Sequence, residues 1–95
     1  MSYNLLKGKR GIIFGALNDA SIAWKVAERV VEEGAQIVLT NTAVACRMGT
    51  IDELAKKTSA TIIPADATSV EDLNNLFVKA QEALGGKIDF VLHSC

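Results

Sequence analysis

The chain has 95 residues, with 10 Lys and Arg against 11 Asp and Glu for a formal net charge of −1, and it is 49% hydrophobic. That size and balance describe one ordinary globular domain at most, and the interspersed charges form no basic patch for nucleic acid or an anionic membrane surface. With 5% aromatic residues there is no base-stacking platform, no apolar run reaches the ~18–20 residues of a bilayer span, and the N-terminus lacks a signal-peptide layout.

Residues 9–14 alternate little and are bounded by glycines, which predicts a strand buried on both faces. After Gly15 and a short polar turn, Ser21 is placed to cap a helix. Behind it Ala23, Val26, Ala27, Val30 and Val31 recur at helical spacing, with Lys25, Glu28, Arg29, Glu32 and Glu33 on the opposite, solvated face. Gly34 ends that helix, and residues 36–40 form a second short buried strand.

The pattern over residues 44–57 is again helical, with Ala45, Met48, Ile51, Leu54 and Ala55 as its apolar side. Gly49 weakens it by about 1 kcal/mol relative to alanine, so a late start or an irregular helix is expected. Thr61, Ile62 and Ile63 make a third strand, stopped by Pro64. Ser69, with Asp72 three residues on, resembles a capping box. The helix it opens places Val70, Leu73, Leu76, Phe77, Ala80 and Leu84 on its apolar face and closes at Gly85 and Gly86. A fourth strand runs from residue 87 or 88 to about His93. The order βαβαβαβ with short connections implies an α/β fold with a doubly wound parallel sheet and right-handed crossovers.

The turn after the first strand carries the chemistry. The usual dinucleotide fingerprint, G-x-G-x-x-G, is incomplete here: Gly11 and Gly15 are present, and larger residues take the third glycine position. A glycine at a strand end can serve only a tight turn. The combination of first strand, Gly15, polar loop and a Ser21-Ile22 helix start goes further, because it aims a hydroxyl and the first free helix amides at one anionic group. Cys46 and Cys95 show no metal-ligand or redox spacing with His93, so reduced thiols are expected and no zinc site.

The segment from Gly15 through Ser21-Ile22-Ala23-Trp24 resembles the G-x5-S-I-A-[WY] signature of bacterial enoyl-acyl-carrier-protein reductases, a divergent branch of the short-chain dehydrogenase/reductase superfamily. The likeness continues through Glu33-Gly34-Ala35, Leu39-Thr40, Ala65-Asp66-Ala67 and the stretch from Asp89 to Ser94, in order and over nearly the whole chain. It implies a Rossmann-like sheet of strand order 3-2-1-4, continued by further strands in the family. The first two helices would lie on one face and the third on the other. Residues 1–95 would then be the N-terminal dinucleotide-binding part of a single domain, incomplete at its C-terminus.

The resemblance also implies roles. Gly15, Ala16, Ser21 and Ile22 match the family's pyrophosphate and ribose contacts, and Asp66 with Ala67 matches a pair that embraces adenine. A plain helix cap for Ser21 is compatible with its role. For Asp66, capping of the next helix is the competing reading. Thr42 stands where the family places a polar residue near the adenosine ribose, while His93 and Ser94 match the start of the element lining the nicotinamide end, where Cys95 stands in place of the family's isoleucine. The second strand ends in Thr40-Asn41-Thr42 without the acid that would accept from a ribose 2′-OH, and Arg47 reads as a solvated helix residue. NADH is the cofactor expected from the family, ahead of NADPH. The implied activity is reduction of the enoyl thioester double bond in fatty-acid biosynthesis, by a cytoplasmic homo-oligomeric parent enzyme acting on an enoyl-acyl-carrier-protein.

In the family a tyrosine and a lysine six or seven residues later stand downstream of the His93-Ser94 element, and neither has a match here. Tyr3 precedes the first strand. The chain alone is therefore expected to be inactive, with residues 88–92 as an apolar sheet edge that makes it marginal or self-associating. The competing readings are another short-chain dehydrogenase/reductase, and a non-catalytic nucleotide-binding or interaction module that docks a partner on that edge.

Overall fold

The computed structural model describes residues 5–16, 20–48, 50–66 and 68–93. Its elements run β1 (Arg10–Phe14), α1 (Ile22–Glu32), β2 (Gln36–Thr40), α2 (Ala43–Met48), α3 (Ile51–Thr58), β3 (Thr61–Ile62), α4 (Val70–Leu84) and β4 (Phe90–His93). The strands form one parallel sheet in the order β3-β2-β1-β4, the order expected from the resemblance. Arg10 pairs with Gln36 and Phe14 with Thr40 across β1 and β2, while Gly11 pairs with Phe90 across β1 and β4.

Successive side chains of a strand point to opposite faces, so β1 must find two apolar partners. Ile13 faces one side with Ile37 and Leu39 of β2, packed under Ala23, Trp24 and Ala27 of α1 and Ile51 and Leu54 of α3. Ile12 and Phe14 face the other with Val38, Leu76 and Ala80 of α4. The sheet is thus covered on both faces. Trp24 is the largest side chain that α1 buries, and truncating such a residue costs about 3–5 kcal/mol.

Several local expectations change. The helix expected over residues 44–57 is two helices, α2 ending at Met48 and α3 starting at Ile51 behind Thr50, while Gly49, expected to weaken it, lies outside the described residues. Ile63 lies past the end of β3, although its N–H still donates to the Leu39 carbonyl at 3.0 Å. β4 starts at Phe90, two or three residues later than its apolar run suggests. On α4, Val70 is 73% exposed and Phe77 is 38% exposed, so neither belongs to the core face.

Glu33 is the clearest reversal. It is buried at the α1–β2 corner, where its Oε1 accepts from the Leu5 N–H at 3.2 Å and its carbonyl accepts from Leu6 N–H at 2.8 Å. Arg29 lies 3.0 Å from the other carboxylate oxygen. The acid ties the N-terminal segment down, a long-range duty that helical periodicity does not reveal. Lys57 and Glu28 form an ion pair between α3 and α1. Its lysine is exposed, so solvent screens the pair and its contribution to stability is small.

Gly11 has a packing reason. A Cβ there would overlap the Phe90 ring on the neighbouring strand, so the glycine admits an aromatic side chain beside β1. Overpacking of this kind costs about 1–3 kcal/mol. Gly11→Ala should lower the urea midpoint accordingly, and adding Phe90→Leu should recover part of the loss. An unchanged midpoint in Gly11→Ala would show that the ring does not confine this position.

Candidate functional site

Parallel strands end together, so the turns after β1, β2 and β3 converge at one edge of the sheet. In open α/β sheets that carboxyl edge is where ligands bind. Gly15 leaves β1 with φ +93°, a left-handed conformation that glycine adopts without a Cβ penalty. Its N–H donates to the Thr40 carbonyl at 3.1 Å, so Gly15 contributes close approach rather than a free donor. Ala16 behind it is buried.

Ser21 caps α1 as expected: its Oγ accepts from the Trp24 N–H at 3.3 Å, and its backbone is extended. The amides of Ile22 and Ala23 stand in the first turn, where no intrahelical acceptor exists. The partial positive charge of the helix start favours an anion there by about 0.3–1 kcal/mol. The Ile22 side chain is 74% exposed beside these amides, which fits contact with a ligand better than a core role.

A cleft of about 300 Å³ lies one turn across, lined by Thr42, Ala43, Val44, Pro64, Ala65, Asp66 and Asp72. Its walls come from the exits of β2 and β3 and the first turn of α4. Thr42 Oγ1 accepts from the Ala45 N–H at 3.2 Å, capping α2 at the cleft mouth. Asp66 folds into a turn of its own, Oδ1 accepting from the Thr68 N–H at 2.9 Å and the Thr68 hydroxyl at 2.7 Å. Both bonds fall on Oδ1 of this cleft-lining residue. Ser69 caps α4 by accepting from the Asp72 N–H at 3.2 Å. The second half of a capping box is replaced: the Asp72 carboxylate accepts from the Asp66 N–H at 3.0 Å and braces the cleft loop.

Sequence reasoning missed Asn41. Its Nδ2 donates to the Ala16 carbonyl at 3.1 Å, and its Oδ1 accepts from the Thr42 N–H at 2.9 Å. Its own carbonyl accepts from the Ala65 N–H at 2.9 Å and from the Cys46 thiol at 3.7 Å. A single polar residue thereby joins the exits of three strands. The available signal was an asparagine directly after a buried strand, a residue type that bonds local backbone in turns.

The structure therefore brings Gly15, Ala16, Ser21 and Ile22 to one strand exit, and Thr42 with Asp66 to the adjoining cleft. Ala67, Ser94, Cys95 and Tyr3 lie outside the described residues. His93 packs edge-to-face on Phe14 with ring centroids 5.3 Å apart, which gives it a packing partner at the end of β4. Cys46 carries a free thiol, and partial burial pushes its pKa up, away from nucleophilic character. Among the described residues no group of three or more His, Cys, Asp or Glu could hold a metal ion.

The two Thr68 bonds hold the Asp66 carboxyl below the usual aspartate range. A depressed folded-state pKa adds stability above the unfolded value near ~4, and that contribution is lost as pH falls through the folded value. Thr68→Ala should raise the Asp66 pKa toward the ordinary range, read by carboxyl NMR titration. An unshifted titration in the variant would contradict the turn.

A family model described as enoyl-(acyl carrier protein) reductase matches residues 15–95. An enoyl-[acyl-carrier-protein] reductase [NADH] of Rhizobium meliloti is 38% identical over 91 residues, covering 95% of this chain and 33% of the relative. The crystal structure of a FabI–NADH complex from Alistipes finegoldii superposes with a TM-score of 0.94 at 72% identity, over 97% of this chain and 32% of that one. An enoyl-(acyl-carrier-protein) reductase from Anaplasma phagocytophilum, solved in complex with NAD, gives a TM-score of 0.82 at 33% identity over 95% of this chain and 34% of that one. The chain spans about a third of the length of the relatives it matches. With its glycine turn, capped helix start and 3-2-1-4 sheet, the chain belongs to the enoyl-(acyl carrier protein) reductase family.

Proposed function

We propose that residues 1–95 form the dinucleotide-binding part of a Rossmann-type domain in an NADH-dependent enoyl-acyl-carrier-protein reductase of fatty-acid biosynthesis. The observation that carries this reading is the convergence at one sheet edge of the Gly15 turn, the Ser21-capped start of α1 and the cleft between Thr42 and Asp66. Relatives named for NADH, and a neighbour solved with it, support the cofactor.

In this reading the Ile22 and Ala23 amides and the Ser21 hydroxyl hold the pyrophosphate, and Gly15 and Ala16 let it approach the backbone. Adenine enters the cleft, its exocyclic amine donating to the Asp66 carboxylate, with the Ala67 backbone reading a ring nitrogen. Thr42 meets the adenosine ribose. Ser94 and Cys95, which follow β4, would lie toward the nicotinamide. Bound NADH supplies the hydride that reduces the enoyl thioester double bond. This chain's own residues bind and orient the cofactor, and none is assigned to stabilising the enolate. A homo-oligomeric, cytoplasmic parent enzyme acting on enoyl-acyl-carrier-protein completes the proposal.

Calorimetric titration of the chain with NADH tests the cofactor site. Gly15→Val places a branched side chain at a positive φ and should weaken binding at least tenfold, about 1.4 kcal/mol. Ser21→Ala should cost about 1 kcal/mol of stability and weaken NADH severalfold. A folded wild-type chain that ignores NADH would instead favour the interaction-module reading.

A further inference from the structure

We infer that Asn41 is a positioning residue that locks the anion-binding turn after β1 to the cleft between β2 and β3, so that the two halves of a dinucleotide site are held at a fixed spacing. This rests on the function proposed above. Asn41 follows β2 directly, at the point where an acid reading the ribose hydroxyls would stand. Its side chain turns inward instead. The Nδ2 donor goes to the Ala16 carbonyl and the Oδ1 acceptor to the Thr42 amide, so one planar amide spans from the Gly15-Ala16 turn to the residue at the cleft mouth.

The backbone of Asn41 extends the link to the cleft's far wall. Its carbonyl accepts from the N–H of Ala65, which lines the cleft beside Asp66. The Gly15 N–H bond to the Thr40 carbonyl lies immediately alongside. These contacts tie the three loops to one another. Preorganisation of this kind raises affinity only for a ligand that touches both halves at once. Asn41 therefore acts through the spacing of the site, without contacting the ligand through its own amide.

The test compares two probes on the whole chain, below the melting temperature of every variant. Adenosine reaches only the cleft, whereas ADP also engages the turn and helix start. Asn41→Ala should weaken ADP and NADH about tenfold, as expected for two lost hydrogen bonds, while adenosine changes less than threefold. If that variant does not fold, Asn41→Ser retains an acceptor but cannot reach Ala16, and it carries the same comparison. Equal loss for adenosine and ADP, or unchanged ADP affinity beside a lowered melting temperature, would reduce Asn41 to a structural residue and overturn the inference. A wild-type chain that binds none of the three probes would refute the function itself, which is a separate outcome.

Discussion

The structure depends on a central strand with no solvent face. β1 lies between β2 and β4, and its residues from Gly11 to Phe14 are all buried. Such a strand can be satisfied only by parallel neighbours on both edges and helices on both faces. The consequence reaches function, because parallel strands must stop at the same end. Three of their exits then share one edge, where a run of backbone groups loses its sheet partners and has to be paired again.

Those exits are repaired by short polar side chains. Ser21, Thr42 and Ser69 each accept a backbone N–H at the start of the following helix, and Asp66 folds a turn around Thr68. Asp72 braces the same loop from inside α4. The groups that stabilise the turns are therefore the ones that shape the ligand edge, so fold and site share a single set of hydrogen bonds. Rigidity follows from satisfied pairing, and a rigid edge loses less entropy when it orders a ligand.

Much of this was legible in residues alone. Apolar runs separated by amphipathic helices led directly to the parallel sheet, and the Gly15–Ser21 spacing led to the helix start. Ser21 and Ser69 read correctly as caps because capping is a local interaction, set within three residues. The failures share the opposite property. Glu33 sits at a polar helical position yet is buried, because its partners Leu5 and Leu6 lie 28 and 27 residues away in sequence. Gly11 looks like part of a phosphate fingerprint, but its reason is a ring on β4, 79 residues on. Asn41 escaped notice because its partner Ala16 belongs to another turn. Phe77 followed the apolar period of α4 but lies past the edge of the core. Spacing reports what a chain does to itself over one or two turns, and the tertiary partners decide the rest.

Amide chemical-shift mapping of the whole chain with NADH tests the central claim most directly. Binding at the carboxyl edge predicts shifts clustered at Gly15 and Ala16, at Ile22 and Ala23, and at Thr42, Ala65 and Asp66. Shifts centred on the opposite end of the sheet, around Gln36, Ser59 and Gly85, would contradict it, because a dinucleotide would then be held by residues that none of these turns positions.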